Sequence, residues 1–181
     1  MKVIATGLAE VVLVEPKVFE DARGYTYESY NRRTFREATG VDLEVVQQNR
    51  SRSVKNVIRG IHYQLGRPQG KLIGVLRGEI YDVAVDLRRS SPNFGKWAAF
   101  RIAAEQHRFA WIPPGFGHAF LALSDTVELH YQLSEYWTPA VERIIRWNDP
   151  QLAIAWPLQG EPILSPRDAA APYLAQAEVL P

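Results

Sequence analysis

The chain has 181 residues, 46% of them hydrophobic and 23% charged, which is enough apolar material for one core without metal or disulfide support. Twenty-one basic against 20 acidic residues leave a net charge of +1, so no general field gathers nucleic acid or an anionic membrane. With no cysteine there are neither disulfides nor thiolate metal sites; with no apolar run near the roughly 18 residues of a membrane span, and an amino-terminal run too short for a signal peptide, a cytoplasmic protein is expected.

Asn31 is placed to cap a helix over 32–39 that stops at Gly40. Strands are predicted at 43–49 and 57–64, then at 72–76 and 79–87, where Arg77-Gly78 makes the turn of a hairpin. Further strands follow at 97–103, 108–112, 118–123 and 126–133. Ser165-Pro166 opens a short helix, and an Ala- and Pro-rich tail is expected to wrap the surface. Many short strands at this spacing predict a single all-β domain over residues 1–181, an antiparallel barrel or sandwich with few, peripheral helices.

Two histidines stand on separate predicted strands. His118 ends Pro113-Pro114-Gly115-Phe116-Gly117-His118, which resembles the second signature of the cupin barrels, and Gly60-Ile61-His62-Tyr63-Gln64 occupies the place of the first. Metal-binding cupins carry His-x-His and a Glu there. Here Gln64 replaces the second imidazole, and a neutral amide oxygen is a weak ligand, which argues against a resident zinc or iron. Chemistry beside a carbonyl without a metal needs a base, a cation for the enolate and an acid. His62 titrates near neutrality and is the candidate base; Lys71 offers the cation; Tyr131 shares strand parity with Val127, Leu129 and Leu133, so its phenol is predicted to face inward as the acid.

Each of these has a plainer alternative. A strand histidine is as often a hydrogen-bonded core residue, Lys71 a surface lysine and Tyr131 a core tyrosine. Arg59 and His62 are three apart and would face opposite sides of a regular strand, so a bulge is predicted at Gly60. Ser165-Pro166-Arg167-Asp168 is a capping box; the competing role for Asp168 is to hold one nitrogen of His62 and fix its tautomer, and the two roles look mutually exclusive. Arg23 suits a diphosphate and Trp137 a stacked nucleobase, with Glu28, Gln47 and Asn49 as hydrogen-bonding groups.

These motifs together resemble one family, the dTDP-4-dehydrorhamnose 3,5-epimerases, which are metal-free cupins. The resemblance runs through Phe19-Glu20-Asp21-Ala22-Arg23-Gly24, Gln47-Gln48-Asn49-Arg50-Ser51, Arg59-Gly60-Ile61-His62-Tyr63-Gln64, Gln69-Gly70-Lys71-Leu72, the Pro113–His118 segment, Trp147-Asn148-Asp149-Pro150 and Leu164-Ser165-Pro166-Arg167-Asp168. It implies a jelly-roll barrel, His62 as base with Asp168 behind it, Lys71 at the enolate oxygen, and Tyr131 as acid on the opposite face. It also implies substrate contacts from Arg23, Glu28, Gln47, Asn49, Arg59, His118, Trp137, Glu142 and Arg167, the last standing where a lysine is frequent. The implied partners are a dTDP-linked 4-keto-6-deoxy sugar and a second copy in a homodimer, the amino-terminal strands joining the partner's sheet; no cofactor is implied. Inversion at C3, C5 or both stays open, as do a metal-dependent cupin and a non-catalytic sugar-nucleotide binder.

Overall fold

The computed structural model describes residues 1–181. In chain order the strands are β1 (Lys2–Ala5), β2 (Val12–Glu15), β3 (Phe19–Asp21), β4 (Gly24–Thr26), β5 (Gln47–Val54), β6 (Ile58–Gln64), β7 (Lys71–Arg77), β8 (Glu79–Asp86), β9 (Trp97–Ala103), β10 (Phe109–Ile112), β11 (Phe116–Ala122), β12 (Thr126–Leu133) and β13 (Glu142–Ile144). The two α-helices are α1 (Arg32–Thr39) and α2 (Pro166–Ala169). Six strands form one sheet in the order β1-β2-β10-β7-β12-β5, five form another in the order β13-β6-β11-β8-β9, and β3-β4 is a separate ribbon. All these pairings are antiparallel.

The main core lies between the two large sheets, where Leu13, Ile73, Ala110, Val127 and Leu129 of one meet Ile80, Ala84, Ile102 and Phe120 of the other. The outer face of the five-stranded sheet is covered as well, with Val83, Val85 and Ala119 packed under Leu152, Ile154, Leu174, Ala177 and Leu180. Every residue of β11 is therefore buried, as a strand covered on both faces requires. The Ala- and Pro-rich tail expected at the surface is this cover. On the other side, Phe35 of α1 and Leu43 pack against Leu72, Phe109 and Trp111 of the six-stranded sheet. The helix begins as its sequence dictates: the Asn31 side chain accepts from the Arg33 and Thr34 N–H groups, and Gly40 ends it in the left-handed conformation at φ 76°.

One departure from the sequence expectation has a physical cause. The strand expected at 43–49 starts instead at Gln47 and runs to Val54. Leu43 is taken by the helix core, and the polar run Gln-Gln-Asn-Arg-Ser-Arg-Ser forms an edge strand paired only to β12, with its outward residues in solvent. The amino-terminal strands β1 and β2 pair with each other and, through β2, with β10 of the same chain, which puts β1 at the edge of the six-stranded sheet.

Between β6 and β11 the register steps three residues on one strand, His62 to Arg59, against two on the other, His118 to Phe120. This is the bulge expected at Gly60, and it requires glycine. Gly60 has φ +122°, and a β-carbon there would lie 2.5 Å from the His118 carbonyl oxygen. The bulge lets Arg59 and His62 line the same cavity.

A candidate active site between the sheets

The cavity between the sheets has an empty volume of about 710 Å³ and is lined by Asn49, Arg59, His62, Gln69, Lys71, His118, Phe120, Tyr131, Leu133, Trp137 and Glu142. His62 on β6 and His118 on β11 come from the five-stranded sheet and are directly paired across strands. Lys71 on β7 and Tyr131 on β12 come from the six-stranded sheet. The base and acid candidates therefore reach the same space from opposite walls.

His62 Nε2 lies 2.7 Å from Asp168 Oδ1, and Nδ1 lies 3.2 Å from Glu142 Oε1. Burial opposes charge on this ring, but the hydrogen bonds to Asp168 and then to Glu142 outweigh it and raise the pKa above the ordinary 6.5. Asp168 is held below the usual carboxylate range: burial pushes it upward, and the bonds from His62 and Ser165 more than compensate.

Asp168 fills both roles that looked exclusive. The Ser165 hydroxyl oxygen accepts from the Asp168 N–H at 3.1 Å and its hydrogen is donated to Asp168 Oδ2 at 2.7 Å, while Pro166 opens the helix. Oδ1 is left for His62. A carboxylate has lone pairs enough for both, and the short α2 turn is what aims it at the base.

Lys71 is buried, and its Nζ donates to the His62 carbonyl at 3.3 Å. Burial lowers its pKa to about 8, so it keeps its charge at neutrality. Tyr131 packs beside the core as its parity predicted; its hydroxyl is 3.2 Å from Ser51 Oγ, and burial lifts it to about 12. It is a protonated phenol at working pH, in the form an acid needs. Glu142 would be raised by burial, but bonds from His62 and Arg167 hold it at about 2.

The binding residues divide. Arg59 lines the cavity and donates to Ser53 Oγ at 3.1 Å and the Arg52 carbonyl at 3.2 Å. Gln47 accepts from the Trp137 N–H at 2.9 Å and donates to Asn49 Oδ1 at 2.9 Å, which sets the half-exposed indole at the cavity mouth. Arg167 reaches the site only through Glu142, at 2.6 Å. Arg23 and Glu28 are not among the residues lining this cavity. Arg23 sits on the exposed β3–β4 ribbon and pairs with Asp21 at 2.5 Å, and Glu28 accepts from Asn31 at 3.0 Å.

Sequence reasoning missed three features. Gln64 is not directed at a metal: its amide donates to the Arg67 and Tyr136 carbonyls and accepts from the Thr138 N–H, pinning the loop that carries Trp137. Asp82, fully buried, lies 2.6 Å from His118 Nε2 and forms a second imidazole–carboxylate pair. Its signal was an acid set between the apolar residues Ile80 and Tyr81 and Val83–Val85 in the interior of β8. Glu142, expected only as a substrate contact, also touches the base.

The geometry is that of a cupin-type barrel whose cavity has an imidazole on one wall and a phenol and a buried ammonium on the other, and the class is that of an isomerase. A family model described as dTDP-4-dehydrorhamnose 3,5-epimerase matches residues 5–176, and the chain belongs to that family. It is 49% identical over 181 residues to the dTDP-4-dehydrorhamnose 3,5-epimerase of Pseudomonas aeruginosa, with all of both chains covered. A crystal structure of the dTDP-6-deoxy-D-glucose-3,5-epimerase of Legionella pneumophila, in complex with dTDP-4-keto-L-rhamnose, superposes with a TM-score of 0.95 at 45% identity, covering 98% of this chain and 94% of that one. The dTDP-4-dehydro-6-deoxyglucose 3-epimerase of Streptomyces bikiniensis is 41% identical over 167 residues, which are 92% of this chain and 85% of that protein.

Proposed function

We propose that this chain inverts C3 and C5 of a dTDP-linked 4-keto-6-deoxyhexose, as a dTDP-4-dehydrorhamnose 3,5-epimerase of dTDP-L-rhamnose biosynthesis in the cytoplasm. The observation that carries the reading is the placement of His62 and Tyr131 on facing sheets around one cavity.

The 4-ketone acidifies the hydrogens on both neighbouring carbons. His62, its Nε2–H held by Asp168, accepts a proton at Nδ1; the electron pair of the C–H bond moves into an enolate whose oxygen meets the Lys71 ammonium; Tyr131 returns a proton from the other face, and the carbon is inverted. Between the two steps His62 gives its proton to solvent and Tyr131 regains one from it, and repetition at the second carbon then completes the reaction without a redox cofactor. Arg59 is placed for the diphosphate and Trp137 for the thymine. His118, Asn49 and Gln47 supply hydrogen bonds around the sugar.

A homodimer belongs to the same proposal. All six residues of the β3–β4 ribbon are exposed, including Phe19 and Tyr25, and a two-stranded ribbon alone is marginal in water. A second copy would cover it and bring Arg23 to a neighbouring diphosphate.

Incubation with dTDP-4-keto-6-deoxyglucose in deuterated water tests the activity. One deuteron is expected at C3 and one at C5 of the inverted product. An active preparation that labels only one of them belongs with the mono-epimerases, and product without label at either carbon refutes proton abstraction.

A further inference from the structure

Inverting two carbons with one imidazole raises a problem of proton bookkeeping. After the first abstraction His62 carries the proton and cannot take another until that proton leaves. Asp168 offers no exit. Its two oxygens are engaged by His62 Nε2 and the Ser165 hydroxyl, and Asp168 lines neither the cavity nor the groove outside it.

Glu142 is different. Its Oε1 lies 3.2 Å from Nδ1, the nitrogen that Asp168 leaves free. Both atoms of that contact are acceptors while the ring is neutral, so the contact is a hydrogen bond only when Nδ1 carries a proton. Glu142, its side chain 9% exposed, also borders a second groove with Tyr63, Arg143, Ile144 and Arg167, and its Oε2 accepts from Arg167 at 2.6 Å. Arg167 is 61% exposed. Glu142 is thus the one residue common to the linings of the catalytic cavity and this outer groove.

We propose that Glu142 is the proton exit of His62, taking the abstracted proton from Nδ1 and releasing it to water in the outer groove so that the base is reset while the sugar is still bound. The inference rests on the epimerase reading above. The substrate carbon and Glu142 Oε1 use the one in-plane lone pair of Nδ1 in turn. First the C–H bond breaks, its electron pair passing to the enolate and its proton to Nδ1. The N–H bond then breaks as Oε1 takes the proton, and water in the groove takes it from the Glu142 carboxyl, restoring neutral imidazole and carboxylate. Arg167 keeps the carboxylate acidic, so the protonated form is short-lived and hands its proton on.

The test uses Glu142→Gln and Glu142→Ala in the full chain. For Glu142→Gln the expected result is a kcat about tenfold or more below wild type with KM changed less, and product inverted at a single carbon released ahead of the doubly inverted one. Formate, a carboxylate small enough for the vacated space, is expected to restore kcat in Glu142→Ala and to do so whether one carbon or two is inverted. A raised KM with kcat, product ratio and formate response all unchanged overturns the proposal and leaves Glu142 a substrate contact. Loss of all exchange in both variants, unrelieved by formate, also overturns it, because the exit acts only after the first abstraction. Absence of epimerisation in the wild type refutes the proposed function instead.

Discussion

His62 and His118 are cross-strand neighbours, each with Nε2 on a carboxylate at 2.7 and 2.6 Å, yet they titrate in opposite directions. His118 is fully buried with Asp82 as its one acidic partner. Burial dominates and its pKa falls below 6.5, so the ring is neutral. His62 is less enclosed and has a second carboxylate, Glu142, on its other nitrogen, and its pKa rises. An imidazole–carboxylate pair therefore does not define a base by itself; the desolvation around the pair and the group on the remaining nitrogen decide which ring gains and loses protons.

The largest break in this comparison is expected from Asp168→Asn. An amide can accept from or donate to Nε2 and so no longer fixes the tautomer, and kcat should fall by about 10³ to 10⁴ with ligand affinity little altered. The equivalent Asp82→Asn, acting on a ring proposed only as a substrate contact, should cost about tenfold at most, a bound set by one weakened hydrogen bond. Steady-state kinetics of the two side by side check this, and equal losses would make His118 a second base. Tyr131→Phe should separate the half-reactions: proton removal survives on the His62 wall, so deuterium enters recovered substrate while inversion is lost by about 10² or more, as nuclear magnetic resonance of the sugar protons would show.

A smaller, graded effect is expected from pH. The base must be neutral in the free enzyme and the lysine charged, so kcat/KM should rise through a pKa above 6.5 and fall again near the value of about 8 held by Lys71. Asp168→Asn should move the acid limb downward and leave the alkaline limb in place.

The smallest effect concerns stability. The raised pKa of His62 contributes stability that is full below 6.5 and is lost as pH climbs through the folded value. The depressed carboxylates contribute above their ordinary values, 3.8 for Asp168 and 4.5 for Glu142, and lose it as pH falls toward their folded ones. The two overlap between about pH 4.5 and 6.5. Thermal melts should show the penalty of Asp168→Asn largest in that window and smaller on either side.

Most of the barrel strands were legible because their periodicity is set by burial: alternation in β12 and the near-continuous apolar runs of β8 and β11. The exposed β3–β4 ribbon and the polar edge strand β5 carry little of that signal, since neither is specified by a buried face. Residue chemistry likewise marked His62, Lys71 and Tyr131, and the glycine before Ile61 foretold the bulge.

What the amino-acid sequence by itself determined is the inventory, an imidazole, an ammonium and a phenol on strands, and the family to which their motifs belong. Only the tertiary structure decided how they act together. It placed β6 and β12 in facing sheets, divided the oxygens of Asp168 between Ser165 and His62, and withheld Arg23 from this chain's cavity. It also set Glu142 against the base, 80 residues away in the chain. Those outcomes depend on distances between residues remote in sequence, and local propensity and spacing carry no record of such distances.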